Sequence, residues 1–359
     1  MKAAVKTAKG DFEVKEVETP TIPHPDWVLM RVKVAGICGT DLRHWKVPER
    51  ELEGKIMGHE LAGEVVEVGE NVSTLRPGDR VVLETVLGDD SCEWCNAQQY
   101  NLCPHLYDVR AESVSRAFAE YVVGPAKKFY KLPGHVSYEE AALLDTFSVS
   151  LHAIQVTGLK IHDKVAVIGA GPIGLAALQL ANVFGADVLI TDVLDGPLEL
   201  AKELGASVAV NTKRQDGRRQ AMEFTCQRGV DIAYECAGGE AMPVTFPQAA
   251  SYTRIGGKVA LVGGFDAEPP DVKLDWQHIQ KGEIQIIPSA SYSYWGIYPE
   301  MQMCLNLLAD GKVDAKCLIT HSFSLDDINK AFETAAAKEK TNAIFVAVFT
   351  LILELSTNI

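Results

Sequence analysis

Basic residues are in short supply. The chain has 34 Lys and Arg against 48 Asp and Glu, giving a formal net charge of −14 and an isoelectric point near 5.1. Such a surface attracts neither a nucleic-acid backbone nor an anionic membrane, and it leaves a neutral substrate open. Cysteine is also sparse. Eight in 359 residues are too few for a disulfide scaffold, yet Cys92, Cys95 and Cys103 cluster, which points to metal in a reducing compartment. Long apolar runs are missing as well. Met1-Lys2-Ala3-Ala4-Val5-Lys6 lacks the apolar core of a secretory signal, so a cytoplasmic location is expected. Ala343 to Leu355 is strongly apolar but shorter than the ~20 residues that span a bilayer. It is expected to form a terminal strand followed by an added tail. No internal repeat or low-complexity stretch is present.

What is there suggests two domains. At 359 residues, 47% hydrophobic and 23% charged, the chain exceeds the size at which single cores stop growing and has ample material for packed interiors. Up to about Phe118 the pattern is short alternating or β-branched runs, such as Trp27-Val28-Leu29-Met30-Arg31-Val32-Lys33-Val34, broken by Gly and Pro. From Glu139 it turns helical, and after Val165-Ala166-Val167-Ile168 strands and helices alternate. That alternation implies a parallel, doubly wound sheet.

In the β-rich part, Gly58-His59-Glu60-Leu61-Ala62-Gly63-Glu64-Val65-Val66-Glu67-Val68-Gly69 follows Gly36-Ile37-Cys38-Gly39-Thr40-Asp41. Thiolate and imidazole suit Zn²⁺, and a catalytic zinc keeps three protein ligands so that the fourth position stays open. Glycines that interrupt an alternating run suggest a strand bent by turns or bulges, with side chains aimed at one point. The residues alone leave a second reading, a Cys and a His that are simply core, and a third ligand has to come from elsewhere.

Gly169-Ala170-Gly171-Pro172-Ile173-Gly174 fits G-x-G-x-x-G, follows a buried apolar strand and opens a helix, with Asp192 ending the next strand. The first glycine permits the tight turn, the second lets backbone approach a pyrophosphate, and the third allows close helix packing. A carboxylate at Asp192 accepts hydrogen bonds from ribose hydroxyls and repels a 2′-phosphate, which favours NAD over NADP.

With these motifs the chain resembles the zinc-dependent medium-chain alcohol and polyol dehydrogenases from residue 1 to about 348. Pro77-Gly78-Asp79-Arg80-Val81, Asp231 to Gly238 and Gly256-Gly257 add to the likeness. Tyr298-Pro299-Glu300, Leu308 to Val313 and Thr320-His321 are similar to sorbitol dehydrogenases, whereas Thr191-Asp192-Val193 and Leu198-Glu199-Leu200-Ala201 resemble threonine dehydrogenases. The resemblance implies a mostly-β GroES-like catalytic domain over 1–152, a Rossmann domain over 153–288 and a return to the catalytic domain over 289–359. It also implies a homo-oligomer, tetramer or dimer. The resemblance also implies Asp145, seven residues before His152, as the third catalytic zinc ligand beside Cys38 and His59. Glu60 is implied as an exchanging ligand, Asp41 as the carboxylate behind His59, Thr40 as the hydroxyl relay, and Val262 and Gly263 as further coenzyme contacts.

Three departures from the family pattern stand out. The relay histidine position, five residues after Cys38, holds Arg43, with His44 next to it; either His44 serves or Arg43 meets the ribose. The structural zinc pattern of four cysteines has Asp89 in its first place, ahead of Cys92, Cys95 and Cys103. An Asp-Cys₃ zinc site is chemically reasonable, and three neighbouring thiols without metal are the alternative. Phe349 to Ile359 extends past the usual end. The activity implied is oxidation of a secondary alcohol, a polyol, cyclitol or sugar-like compound, to a ketone with NAD; an L-threonine or 2,3-butanediol dehydrogenase is the alternative. Ser293, where sorbitol-type enzymes carry arginine, stands before Tyr294-Trp295 and argues for a less polar ligand face. A dinucleotide-binding protein without activity is the reading from another class, and it would need no zinc ligands.

Overall fold

Short alternating runs become strands where one face can be buried. The computed structural model describes residues 1–8, 10–46, 53–106, 116–264 and 271–350. The chain divides into two units, Met1–Asp145 with Met301–Ala309 and Ala315–Ile359, and Thr146–Glu300 with Asp310–Asp314.

The first unit is mostly β. It begins with β1 (Lys2–Lys6), β2 (Phe12–Glu16), β3 (Trp27–Gly36), β4 (Glu60–Val68), β5 (Arg80–Leu83), β6 (Tyr121–Pro125) and β7 (Phe129–Lys131). Strand β3 buries Val28, Met30, Val32 and Val34 and leaves Arg31 and Lys33 partly exposed, as its alternation predicts. The β3–β4 register shifts between Leu29 and Met30 and again between Val32 and Val34. Facing these irregularities is Gly63, where a β-carbon would lie 2.1 Å from the Arg31 carbonyl oxygen, so only glycine fits. The expected bent strand is therefore real but shorter than its glycine run. Gly58 stands before it with φ +95°, and Gly69 lies just past its end.

The second unit is built on β8 (Lys164–Ile168), β9 (Asp187–Asp192), β10 (Val208–Asn211), β11 (Val230–Glu235), β12 (Thr253–Leu261) and β13 (Gln285–Pro288). They form one parallel sheet in the order β10-β9-β8-β11-β12-β13. All six residues of β11 are buried, Asp231 and Glu235 among them, as expected where helices cover both faces of a parallel sheet. A small hairpin, β14 (Tyr294–Trp295) and β15 (Tyr298–Pro299), turns at Gly296.

The chain then completes the first unit with β16 (Ile319–Ser324) and β17 (Phe345–Phe349), so that its sheet runs β16-β17-β3-β4-β5-β7 with β6 also on β3. Phe332, on the helix Ile328–Ala336, packs its ring 4.7 Å from Phe12 and 5.5 Å from Phe118, anchoring the returning segment in the β core. The last strand extends one residue beyond the expected end at Val348, and the Thr350 hydroxyl donates to the Val32 carbonyl. The rest of the expected tail, 351–359, lies outside the described residues. Among the described residues no helix is long and apolar enough to cross a membrane.

Candidate metal and dinucleotide sites

Cys38 sits immediately before the helix Gly39–Lys46, and its backbone N–H donates to Asp41 Oδ2 at 2.9 Å. Asp41 is 2% exposed, and its other oxygen lies 3.8 Å from His59 Nδ1, longer than a hydrogen bond but within ion-pair range. His59 precedes β4 and is held by its own carbonyl, which accepts from Thr85 Oγ1 at 3.2 Å. Glu60 opens β4 and is buried because Gly36 leaves room: a β-carbon there would lie 2.4 Å from Glu60 Oε2 and from the Phe345 ring. Asp145, in the first turn of the helix Leu144–Thr157, is also buried.

These groups share one electrostatic neighbourhood. Burial pushes the Cys38 thiol well above its ordinary range, and the carboxylates of Glu60, Asp41 and Asp145 push it further. Buried negative groups gathered around a thiol and an imidazole form a donor set that a divalent cation would neutralise, so the residues present fit zinc. The Arg43 guanidinium donates to Thr40 Oγ1 at 3.0 Å. His44 is placed by its carbonyl, which accepts from the buried Lys6 ammonium.

A second set is closed. One ligand atom each from Asp89, Cys92, Cys95 and Cys103 lies within 4.8 Å of all the others. Backbone N–H groups point at the sulfurs: Cys95 N to Cys92 Sγ, and Asp89 N and His105 N to Cys103 Sγ, each at 3.4 Å. Gly88 makes space for the third thiol, since a β-carbon there would lie 2.3 Å from Cys95 Sγ. The backbone N–H groups of Cys92 and Ser91 hold the Asp89 carboxyl far below the usual carboxylate range. Burial, then the hydrogen bond shared with Cys92, pushes the Cys95 thiol up to about 12. Four acceptors packed this tightly suit a tetrahedral zinc.

In the second unit the glycine turn follows β8. Gly169 has φ +101°, and a β-carbon on Gly174 would lie 1.9 Å from the Gly169 carbonyl oxygen, so the third glycine is fixed by packing. Gly171 caps the helix Pro172–Val183 with open space around its α-carbon, and Pro172 takes the first helical position. Ile173 follows, its carbonyl accepting from Ser150 Oγ at 3.0 Å. Asp192 ends β9; its Oδ2 accepts from Ala170 N at 2.7 Å and its Oδ1 from Val193 N and Leu194 N at 2.7 and 2.9 Å. The carboxylate and the turn are thus brought together.

Val262 and Gly263 follow β12, and both N–H groups reach the Glu235 carbonyl, at 2.9 and 2.8 Å. The Glu235 side chain was not singled out by the sequence reading. It is fully buried at the end of β11, and its Oε1 accepts from Ala237 N, Gly238 N and Thr245 Oγ1 at 3.1, 2.9 and 2.8 Å. Burial raises its carboxyl against those three bonds. An acid at the end of an apolar strand before Gly238 was the available signal. Glu300 was also missed in this role: fully buried, it receives His152 Nδ1 at 3.0 Å and Ser293 N at 2.7 Å.

Comparison with known proteins settles the family. Residues 24–134 match the alcohol dehydrogenase GroES-like domain, and residues 172–309 match the zinc-binding dehydrogenase domain. A sorbitol dehydrogenase of Bacillus subtilis is 36% identical over 93% of this chain and 93% of its own. The chain belongs to the zinc-dependent medium-chain dehydrogenases. This dehydrogenase is also 35% identical to L-idonate 5-dehydrogenase of Vitis vinifera, covering 86% of this chain and 84% of that one. The solved 2R,3R-butanediol dehydrogenase of Bacillus subtilis superposes with a TM-score of 0.82 at 30% identity, over 98% of this chain and 99% of that chain. Solved structures of the same fold hold NADH or NADP. The dehydrogenase is accordingly a zinc alcohol or polyol dehydrogenase that uses a nicotinamide coenzyme.

Proposed function

We propose that this dehydrogenase oxidises a secondary hydroxyl of a polyol, cyclitol or sugar-like compound to a ketone with NAD. The observation that carries the reading is the placing of the Cys38 thiol among the carboxylates of Glu60, Asp41 and Asp145, with Asp41 also 3.8 Å from His59 Nδ1, in a chain that also carries the Asp192 turn. Cys38, His59 and Asp145 would hold the catalytic zinc, with Glu60 as a fourth, exchanging carboxylate. When bound, zinc lowers the pKa of a substrate hydroxyl and the nicotinamide accepts hydride. The protein's part is placement and proton transfer. Asp41 orients the His59 imidazole from behind, and the Arg43 guanidinium fixes the rotamer of Thr40, whose Oγ1 would accept the substrate proton while the hydroxyl passes its own proton on toward the coenzyme ribose. His44 beside them is the other candidate for the outward step. Gly171 leaves room for a pyrophosphate at the start of the helix Pro172–Val183, and Asp192 presents a negative charge where NADP would carry its 2′-phosphate. Asp89, Cys92, Cys95 and Cys103 would hold a structural zinc.

The likeness to a butanediol dehydrogenase supports the alternative of a smaller vicinal diol, and Ser293 in the arginine position favours a substrate less polar than sorbitol. NADH formation across polyols, inositols, sugars, threonine and butanediol ranks these; a clear preference for simple primary alcohols would sink the polyol assignment. Cys38→Ser should abolish turnover while NAD binding, read by fluorescence titration, stays within about twofold. Surviving turnover would refute the zinc mechanism.

A further inference from the structure

An acidic chain has little reason to gather arginines around a cavity, yet the second unit does so. A cavity of about 640 Å³ is walled by Arg218, Arg219, Arg228, Arg254 and His278. It lies where β11 and β12 begin. The sheet is parallel, so this is the edge opposite the Gly169 turn, which follows the end of β8.

The cations are held in place. Buried Asp231 binds Arg254 Nε at 2.6 Å and Arg228 Nη2 at 2.7 Å through its two oxygens, and Lys164 N at 2.8 Å. Arg254 also donates to the Ile255 carbonyl at 2.6 Å. Two carboxylates line the same wall, and each is occupied: Glu223 by Arg219 and Gln220, and Asp216 by the Arg219 backbone N–H. The guanidinium groups have donors left over. Arg228 uses one nitrogen on Asp231, and Arg218 makes a single long contact, 3.4 Å from Nε to the Ser251 carbonyl. His278 Nε2 is buried without a hydrogen-bond partner. Met222 and Ile255, the latter 73% exposed, add an apolar face.

We propose that this cavity binds a phosphorylated organic anion at a site separate from the coenzyme turn. Guanidinium forks match phosphoryl oxygens bidentately, His278 Nε2 would gain a partner, and Met222 with Ile255 would meet the organic part. The cavity has room for a molecule of nucleotide size.

The test is calorimetric titration of the full-length, zinc-loaded enzyme with NAD kept saturating, using ATP and inorganic tripolyphosphate as probes in low-salt buffer. Saturable binding of one ATP per chain is expected, weakened by added salt and several-fold tighter than tripolyphosphate. Arg218→Gln with Arg219→Gln, both on the exposed side of the helix Gly217–Phe224, should weaken ATP roughly tenfold, and Glu223→Gln should tighten it. The KM for NAD should not move in either variant. No saturable heat, binding lost when NAD saturates, affinity indifferent to these substitutions, or tripolyphosphate binding as tightly as ATP would each overturn the proposal.

Discussion

Asp192 uses both carboxylate oxygens on backbone N–H groups of its own turn and of Ala170, so one residue ties the glycine turn to β9 and, on the proposed function, sets the charge a coenzyme would meet. Replacing it by Ala should narrow the preference for NAD over NADP by about tenfold or more, because a like charge opposite the 2′-phosphate is removed. The KM for NAD should rise as well, since Ala170 N loses its acceptor. Steady-state kinetics with both coenzymes reads the two effects, and an unchanged preference would refute the charge argument. Asp192 was legible in the sequence because its place beside the turn follows from spacing after the glycines. Glu235 was not. Its three donors come from Ala237, Gly238 and Thr245, and an acidic residue at a strand end before a glycine marks the place without telling which groups of the loop will fold back onto it. Arg43 on Thr40 is a similar case, since chain order puts both Arg43 and His44 close to Thr40 and only the rotamers show Arg43 donating to its hydroxyl.

At the scale of elements, the cysteine lobe is the segment whose chemistry was clearest and whose structure was least so. Spacing gathered Cys92, Cys95 and Cys103 and the family pattern added Asp89, but the short helix Glu93–Asn96, capped by the Cys92 sulfur, has no periodicity to read. Metal analysis of the purified protein should find two zinc ions per chain, and Cys103→Ala should leave one. Because structural zinc contributes folding energy, that variant should also melt about 5 °C lower or more. A single zinc in the wild type, or two in Cys103→Ala, would rule out the second site. Strands β8 and β9 were legible nearly to their ends, since burial on both faces favours apolar runs, whereas β11, which carries Asp231 and Glu235, was read only as part of a motif. The bulges of β3 were not, because they arise from pairing with a strand some thirty residues on.

For the molecule as a whole, resistance to acid should rest partly on Asp231. Burial alone would raise its carboxyl, but hydrogen bonds from Arg254 and Lys164 N, with the charges of Arg228 and Arg254, hold it below its ordinary 3.8. A depressed carboxyl stabilises the fold above the unfolded value, and that contribution is lost as pH falls from 3.8 through the folded value. Asp231→Asn should therefore cost about 2 kcal/mol near neutral pH, with the gap from the wild type closing below pH 3.8. Urea unfolding at a series of pH values measures it, and a gap constant with pH would contradict the assignment.

Strand order carries a temporal consequence. In the first sheet β3 has β17 as a neighbour, and β17 ends at Phe349. The parallel sheet, by contrast, has all its strands by Pro288. A ribosome working at ~5–20 residues per second leaves β3 without that neighbour for roughly 10–40 s after residue 145 has been made. During translation the zinc-ligand unit is thus the last to close, and its waiting edge is where a chaperone would be needed.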